Sequence, residues 1–228
     1  MKFQATETVG SIVTAFPGAS NVFRAHRIDF CCGGQRPLAE VLEQSGLSEQ
    51  TVLQELEDAY ERAALRERQQ DFRRYTRSEL ISHIVTVHHD FLRSELPLLG
   101  EFVEKIARVH GPSHKELIEL RALYQQLREE LEEHLLAEEE RVFPMVRAYE
   151  ATGDAGTKEE ALRAIDELES EHDKAGALLR EMRAVTVDYT LPEGACRTYT
   201  VAFQKLEQLE ADMFQHIHLE NNILFQSL

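Results

Sequence analysis

The sequence predicts an all-α protein, with a small N-terminal helical module followed by an antiparallel four-helix bundle. Three observations predict it. Apolar residues recur at helical spacing nearly everywhere, and convincing alternating strand runs are missing. Capping signals open four long periodic segments in the later part of the chain, and short polar links such as "HGPS" and "ATGDAG" join them, as antiparallel neighbours require. The stretch 1–66 instead breaks into short pieces.

The pieces follow in order. "ETVGSIVTAF" reads as a first short helix stopped by Pro17-Gly18, and "ASNVFRAHRI" as a second. The loop "DFCCGGQ" leads into "PLAEVLEQSG" and then "SEQTVLQELEDAYERAALRER". The polar stretch "RERQQDFRRYT" reads as a linker, placed at 67–76, between a module at 1–66 and a bundle at 77–228. Thr76 with Glu79, Ser113 with Glu116 and Thr157 with Glu160 have capping-box spacing, and the fourth segment opens at Pro192. Pro97 is expected to kink or break the first bundle segment.

Composition excludes some function classes. Forty-one acidic against 25 basic residues give a formal net charge of -16, which repels nucleic-acid phosphates and anionic membranes. No apolar run is long enough to span a membrane, and "MKFQATETVG" has no basic stretch followed by an apolar one, so a cytoplasmic protein is expected. Three cysteines, two of them adjacent, give no disulfide framework, and reduced thiols are expected.

The chemistry lies in histidines. "HLLAEEE" and "HIHLENN" each put a histidine four residues before a glutamate, so His134 with Glu138 and His216 with Glu220 each aim an imidazole and a carboxylate from one helix face. The other two long segments carry "VHHD" and "SEHDKAG". His89 stands as far before His110 as His134 stands after Ser113, and the leg from His134 to Glu150 matches the leg from Thr157 to His172 to within one position. At about 1.5 Å per residue these three histidines fall at one level of an antiparallel bundle. The fourth leg fits less well, because Pro192 to His216 is nearly twice as long as His172 to Val185. Periodicity does not choose between His88 and His89. His83, His110, His114 and His218 are set aside, His218 because it faces the other way from His216.

Any one such histidine reads as solvated or as satisfied in a core. The repetition gives four imidazoles and two carboxylates, a mixed nitrogen and oxygen set suited to iron, manganese or zinc, and two carboxylates can bridge two metals. The Glu-x-x-His pattern of ferritin-like sites occurs only at Glu169 and His172. In the N-terminal module, a Cys31–Cys32 disulfide would be strained because adjacent Cα atoms lie only about 3.8 Å apart, so two accessible thiols are expected beside Gly33 and Gly34. The rival reading is two small apolar residues packing a turn. Cys196 reads as structural.

The stretches "FRAHRIDFCCGG", "LISHIVTVHHDFLRSELPLL", "HLLAEEERVFPM", "SEHDKAG" and "HIHLENNILF" together resemble, over the full chain, the repair of iron centres family of iron–sulfur cluster repair di-iron proteins. The resemblance implies a hemerythrin-like bundle holding two iron ions per chain in an oxo-bridged non-haem centre. The implied ligands are His89, His134, Glu138, His172, His216 and Glu220; the family's histidine directly precedes the aspartate of "HHD", and an aromatic is common where His88 stands. Glu130 and Glu171 match acidic positions of an access path. The implied function is repair of clusters damaged by oxidative or nitrosative stress, by iron donation. Nitric oxide reduction at the same irons, or oxygen or nitric oxide sensing or carriage, are the alternatives, so enzymatic activity stays open. Implied partners are damaged iron–sulfur proteins, with nitric oxide or dioxygen as ligands and a homodimer as one state. Cys31 and Cys32 would receive iron, move it or contact the client.

Overall fold

The computed structural model describes residues 3–64 and 72–228, and among them the chain is all-α, with one isolated backbone bridge between Thr8 and Pro37 and no strands. It divides into two compact units, one comprising Met1–Leu80 with Phe214–Leu228 and the other Ile81–Met213.

The first unit is built from short helices: α1 (Val9–Ala15), α2 (Ala19–Ala25), α3 (Leu38–Ser45) and α4 (Glu49–Ala64). Thr8 caps α1 by accepting from the Ser11 amide at 3.2 Å. Gly46, at φ 66°, ends α3 in the left-handed region that a side chain disfavours. Ile12, Phe23, Leu38, Leu42 and Leu56 form a buried apolar core, and the Phe16 ring meets Tyr60 edge-on at 5.3 Å. Phe214 joins this unit, its ring edge-on to Phe30 at 5.8 Å. Residues 67–71 of the expected linker, and 1, 2, 65 and 66 of the expected module, lie outside the described residues; Phe72–Arg74 form a 3₁₀ turn that buries Phe72.

The second unit carries the long helices. α5 (Arg77–Ile84) passes through a π-turn, Val85–His89, into α6 (Asp90–His110). α7 (Glu116–Ala137) passes through a second π-turn, Glu138–Val142, into α8 (Phe143–Thr152). α9 spans Ala155–Val185, and α10 (Arg197–Leu219) begins in this unit and ends in the first, followed by a third π-turn, Glu220–Leu224. α7 packs against both α6 and α9. Lys205 pairs with Glu95 to tie α10 to α6, and Arg183 pairs with Glu210 to tie it to α9.

The capping expectations divide. Thr76 and Glu79 form the reciprocal box, with Thr76 N donating to Glu79 Oε2 at 2.8 Å and Glu79 N to Thr76 Oγ1 at 3.2 Å. Ser113 does not cap α7; its hydroxyl donates to the His110 carbonyl instead, and α7 starts at Glu116. Asp154, not Thr157, caps α9, accepting from Thr157 N at 2.7 Å. The last long helix, α10, starts at Arg197 rather than Pro192, which shortens its leg to His216 by more than one turn. Pro97 does not break α6, which runs through it; one turn of α7 is fastened beside it by the Tyr124 hydroxyl, donating to Leu96 O at 2.6 Å.

Candidate metal centre

In the second unit, Glu138 stands among three imidazoles. Its Oε2 lies 3.3 Å from His89 Nε2, and its Oε1 lies 3.3 Å from His134 Nε2 and 3.9 Å from His172 Nε2. His134 and His172 bring their Nε2 atoms to 2.9 Å of each other. All four side chains are buried, Glu138 and His89 completely. A carboxylate wholly out of water is costly unless cations or strong donors surround it. The two oxygens of Glu138 thus face two separate histidine groups, as a carboxylate spanning two cations does. In the first unit, His216 Nε2 lies 3.0 Å from Glu220 Oε1, and both are fully buried.

Local backbone geometry aims these groups. His89 ends the first π-turn, Glu138 opens the second and Glu220 opens the third. A π-turn admits one residue more than the α-helical repeat, which rotates the following side chains relative to the preceding ones. Periodicity did not anticipate these turns, because a single inserted residue leaves the apolar stripe of a long helix nearly intact.

The outer ring nitrogens are held by carboxylates. His89 Nδ1 lies 2.6 Å from Glu139 Oε1, which also accepts from Arg93 at 2.6 Å. His134 Nδ1 lies 2.7 Å from Glu171 Oε2. The hydrogen bond to His134 holds the Glu171 carboxyl below the usual carboxylate range. Each carboxylate fixes its ring and directs the Nε2 lone pair inward. His88 turns elsewhere, its Nδ1 2.9 Å from Asp212 Oδ1. Glu139 and Asp212 escaped the sequence reading; only the run "EEE" after His134 could have flagged the first.

A cleft of about 630 Å³ opens onto His134 and His172, with Glu130 and Glu171 on its walls beside Glu133, Glu140 and Glu167. Arg141 is paired to Glu167 at 2.6 Å, so the lining is acidic on balance. The buried imidazole and carboxylate donors fit a first-row transition cation, and a hard, oxygen-seeking ion such as calcium would have too few oxygens here.

Of the histidines set aside, His218 is placed away from these groups, and the three cysteines are placed as well. His218, within the first unit, packs edge-on against Phe30 at 5.9 Å and lies 3.4 Å from its carbonyl. Burial pushes its pKa down to about 4. Cys196 is not a packing residue: it is exposed, with its sulfur 3.3 Å from His110 Nε2. Cys31 and Cys32 are both thiols, as expected, but of the two only Cys32 is partly accessible; Cys31 is buried, with its sulfur beside Asp29 and Cys32.

The chain matches the hemerythrin HHE cation binding domain over residues 80–228, and ScdA_N, a domain of unknown function (DUF542), over residues 5–60. It is 31% identical over 223 residues to the iron-sulfur cluster repair protein ScdA of Staphylococcus epidermidis, covering 97% of each chain. ScdA of Staphylococcus haemolyticus is 32% identical over 219 residues, covering 95% of each. The iron-sulfur cluster repair protein YtfE of Escherichia coli is 33% identical over 219 residues, covering 96% of this chain and 94% of the relative.

Proposed function

Because the chain belongs to the hemerythrin HHE cation-binding family, and within it to the iron–sulfur cluster repair proteins, we propose that it holds two iron ions and donates iron to damaged clusters. His89, His134, Glu138, His172, His216 and Glu220 are the proposed ligands. The observation that carries the reading is Glu138, whose two oxygens face different histidine groups. When bound, iron supplies a redox-variable pair of Lewis-acidic cations.

The chain's own groups set how iron is held and let go. Glu139 and Glu171 keep the His89 and His134 lone pairs aimed inward. Carboxylates attract a trivalent ion more strongly than a divalent one, so the buried glutamates loosen their hold on iron when it is reduced. The acidic cleft beside His134 and His172 favours the passage of a cation over an anion. Iron is here the cargo, the clients are iron–sulfur proteins damaged by oxidative or nitrosative stress, and the setting is the cytoplasm. Nitric oxide and dioxygen are proposed as ligands, and a homodimer as one assembly state.

The test follows iron. A ferrous chelator should strip the reduced protein much faster than the oxidised one, and the released iron should support rebuilding of a cluster in a damaged dehydratase. Alanine at His216 or Glu220 should cost at least one of two irons per chain by mass-spectrometric metal assay. Equal, slow release in both redox states, together with many turnovers of nitric oxide, would replace donation by the reductase reading.

A further inference from the structure

The first unit holds another set of ligating atoms, distinct from the proposed iron ligands. Asp29, Cys31 and Cys32 each bring one ligand atom within 4.8 Å of the other two. Cys31 Sγ lies 3.1 Å from Asp29 Oδ1 and 3.8 Å from Cys32 Sγ. Two thiolates bound at ~2.3 Å to one tetrahedral cation stand ~3.8 Å apart, and a thiolate and a carboxylate oxygen at ~2.1 Å stand ~3.5 Å apart. The sulfurs therefore already have the separation of two ligands on one ion. The aspartate oxygen needs to retreat by only a few tenths of an ångström.

The loop is held in that shape from several sides. Asp29 Oδ1 accepts the Cys31 amide at 3.0 Å, which fixes the carboxylate over the sulfur. Asn222, in the turn that begins at Glu220, donates to the Cys31 carbonyl at 3.2 Å. Gly34 admits this approach, since a Cβ there would lie 2.6 Å from Asn222 Oδ1 and 2.7 Å from the Phe30 carbonyl. Cys31 is buried, whereas Cys32 and Asp29 are half-buried, so the cluster meets solvent through Cys32 and Asp29.

We propose that Asp29, Cys31 and Cys32 form a separate, mononuclear site for a thiophilic divalent cation such as zinc(II) or its probe cobalt(II), with solvent as the fourth ligand. Two sulfurs and one oxygen select against calcium and magnesium. Binding releases a proton from each thiol to solvent. The Cys32 thiol beside it, and then burial, hold Cys31 well above the usual thiol range, so binding tightens as pH rises. No histidine or glutamate of the proposed iron centre takes part, so the two sites stand or fall separately.

The experiment is anaerobic cobalt(II) titration of the full chain, followed by the sulfur-to-cobalt charge-transfer absorption that only thiolate ligands produce. One equivalent should develop the band in the native protein and in Cys196→Ser. Cys32→Ser should abolish it. Asp29→Asn should keep the band and weaken binding at least tenfold. Iron content of the iron-loaded native chain and variants is measured in parallel, and Cys32→Ser should retain it. No band in the native protein, a band that survives Cys32→Ser or is lost in Cys196→Ser, native affinity in Asp29→Asn, or loss of iron together with the band would each overturn the proposal.

Discussion

Glu171 joins the two properties this site needs. Its carboxylate fixes the His134 ring through a 2.7 Å hydrogen bond while its residue lines the cleft. Glu171→Gln keeps the shape and removes the charge, so metal affinity measured by chelator competition should fall about 10–100-fold, the usual cost of losing an outer carboxylate. Unchanged affinity would reduce Glu171 to a solvated wall residue. His88 and His89 are neighbours in sequence with different fates, one bonded to Asp212 and the other facing Glu138. His88→Phe should therefore retain full iron content, whereas His89→Phe should lose at least one ion, as read by metal assay. The reverse pattern would move the proposed ligand one residue back.

Helices α9 and α10 are fastened by the charge pair of Arg183 with Glu210. Arg183 Nη2 lies 2.8 Å from Glu210 Oε1, and the glutamate is buried. Burial raises the Glu210 pKa, and Arg183 opposes that shift. Arg183→Ala strands the carboxylate, so denaturant unfolding near neutral pH should show a loss of about 3 kcal/mol. The sign with pH follows from the direction of the shift: ionising a buried acid with a raised pKa costs stability. The deficit of the variant should shrink as pH falls through that pKa and the carboxyl becomes neutral. A deficit that grows on acidification would overturn the assignment of Glu210 as the stranded charge.

At the scale of the whole chain, an excess of acid sets the terms. The formal charge of -16 includes Glu138 and Glu220, both fully buried, so cations bound beside them would offset charge where desolvation makes it most expensive. A ligand present at a hundred times its dissociation constant stabilises the folded state by ~3 kcal/mol, and each kcal/mol moves Tm by ~2–4 °C for a chain of this size. Removing iron with a chelator should thus lower Tm by about 6–12 °C in a calorimetric scan near neutral pH, and adding it back should restore it. An unchanged Tm after complete iron removal would argue against iron held by these buried glutamates.

Sequence alone determined what local repetition can encode. Helical periodicity gave the fold class, the Thr76–Glu79 spacing gave a real capping box, and the His134–Glu138 and His216–Glu220 steps put donor pairs on single helix faces, because residues four apart are neighbours in any α-helix. Matched helix lengths brought His134 and His172 to one level. What only the tertiary structure decided depends on partners far apart in the chain: Glu139 on His89, Glu171 on His134, Asp212 on His88 and Asn222 on Cys31. It also decided the π-turns, and it put Cys196 beside His110. Such pairings follow from how finished helices pack, and an acidic residue that will orient an imidazole carries the same local signature as one that will face water.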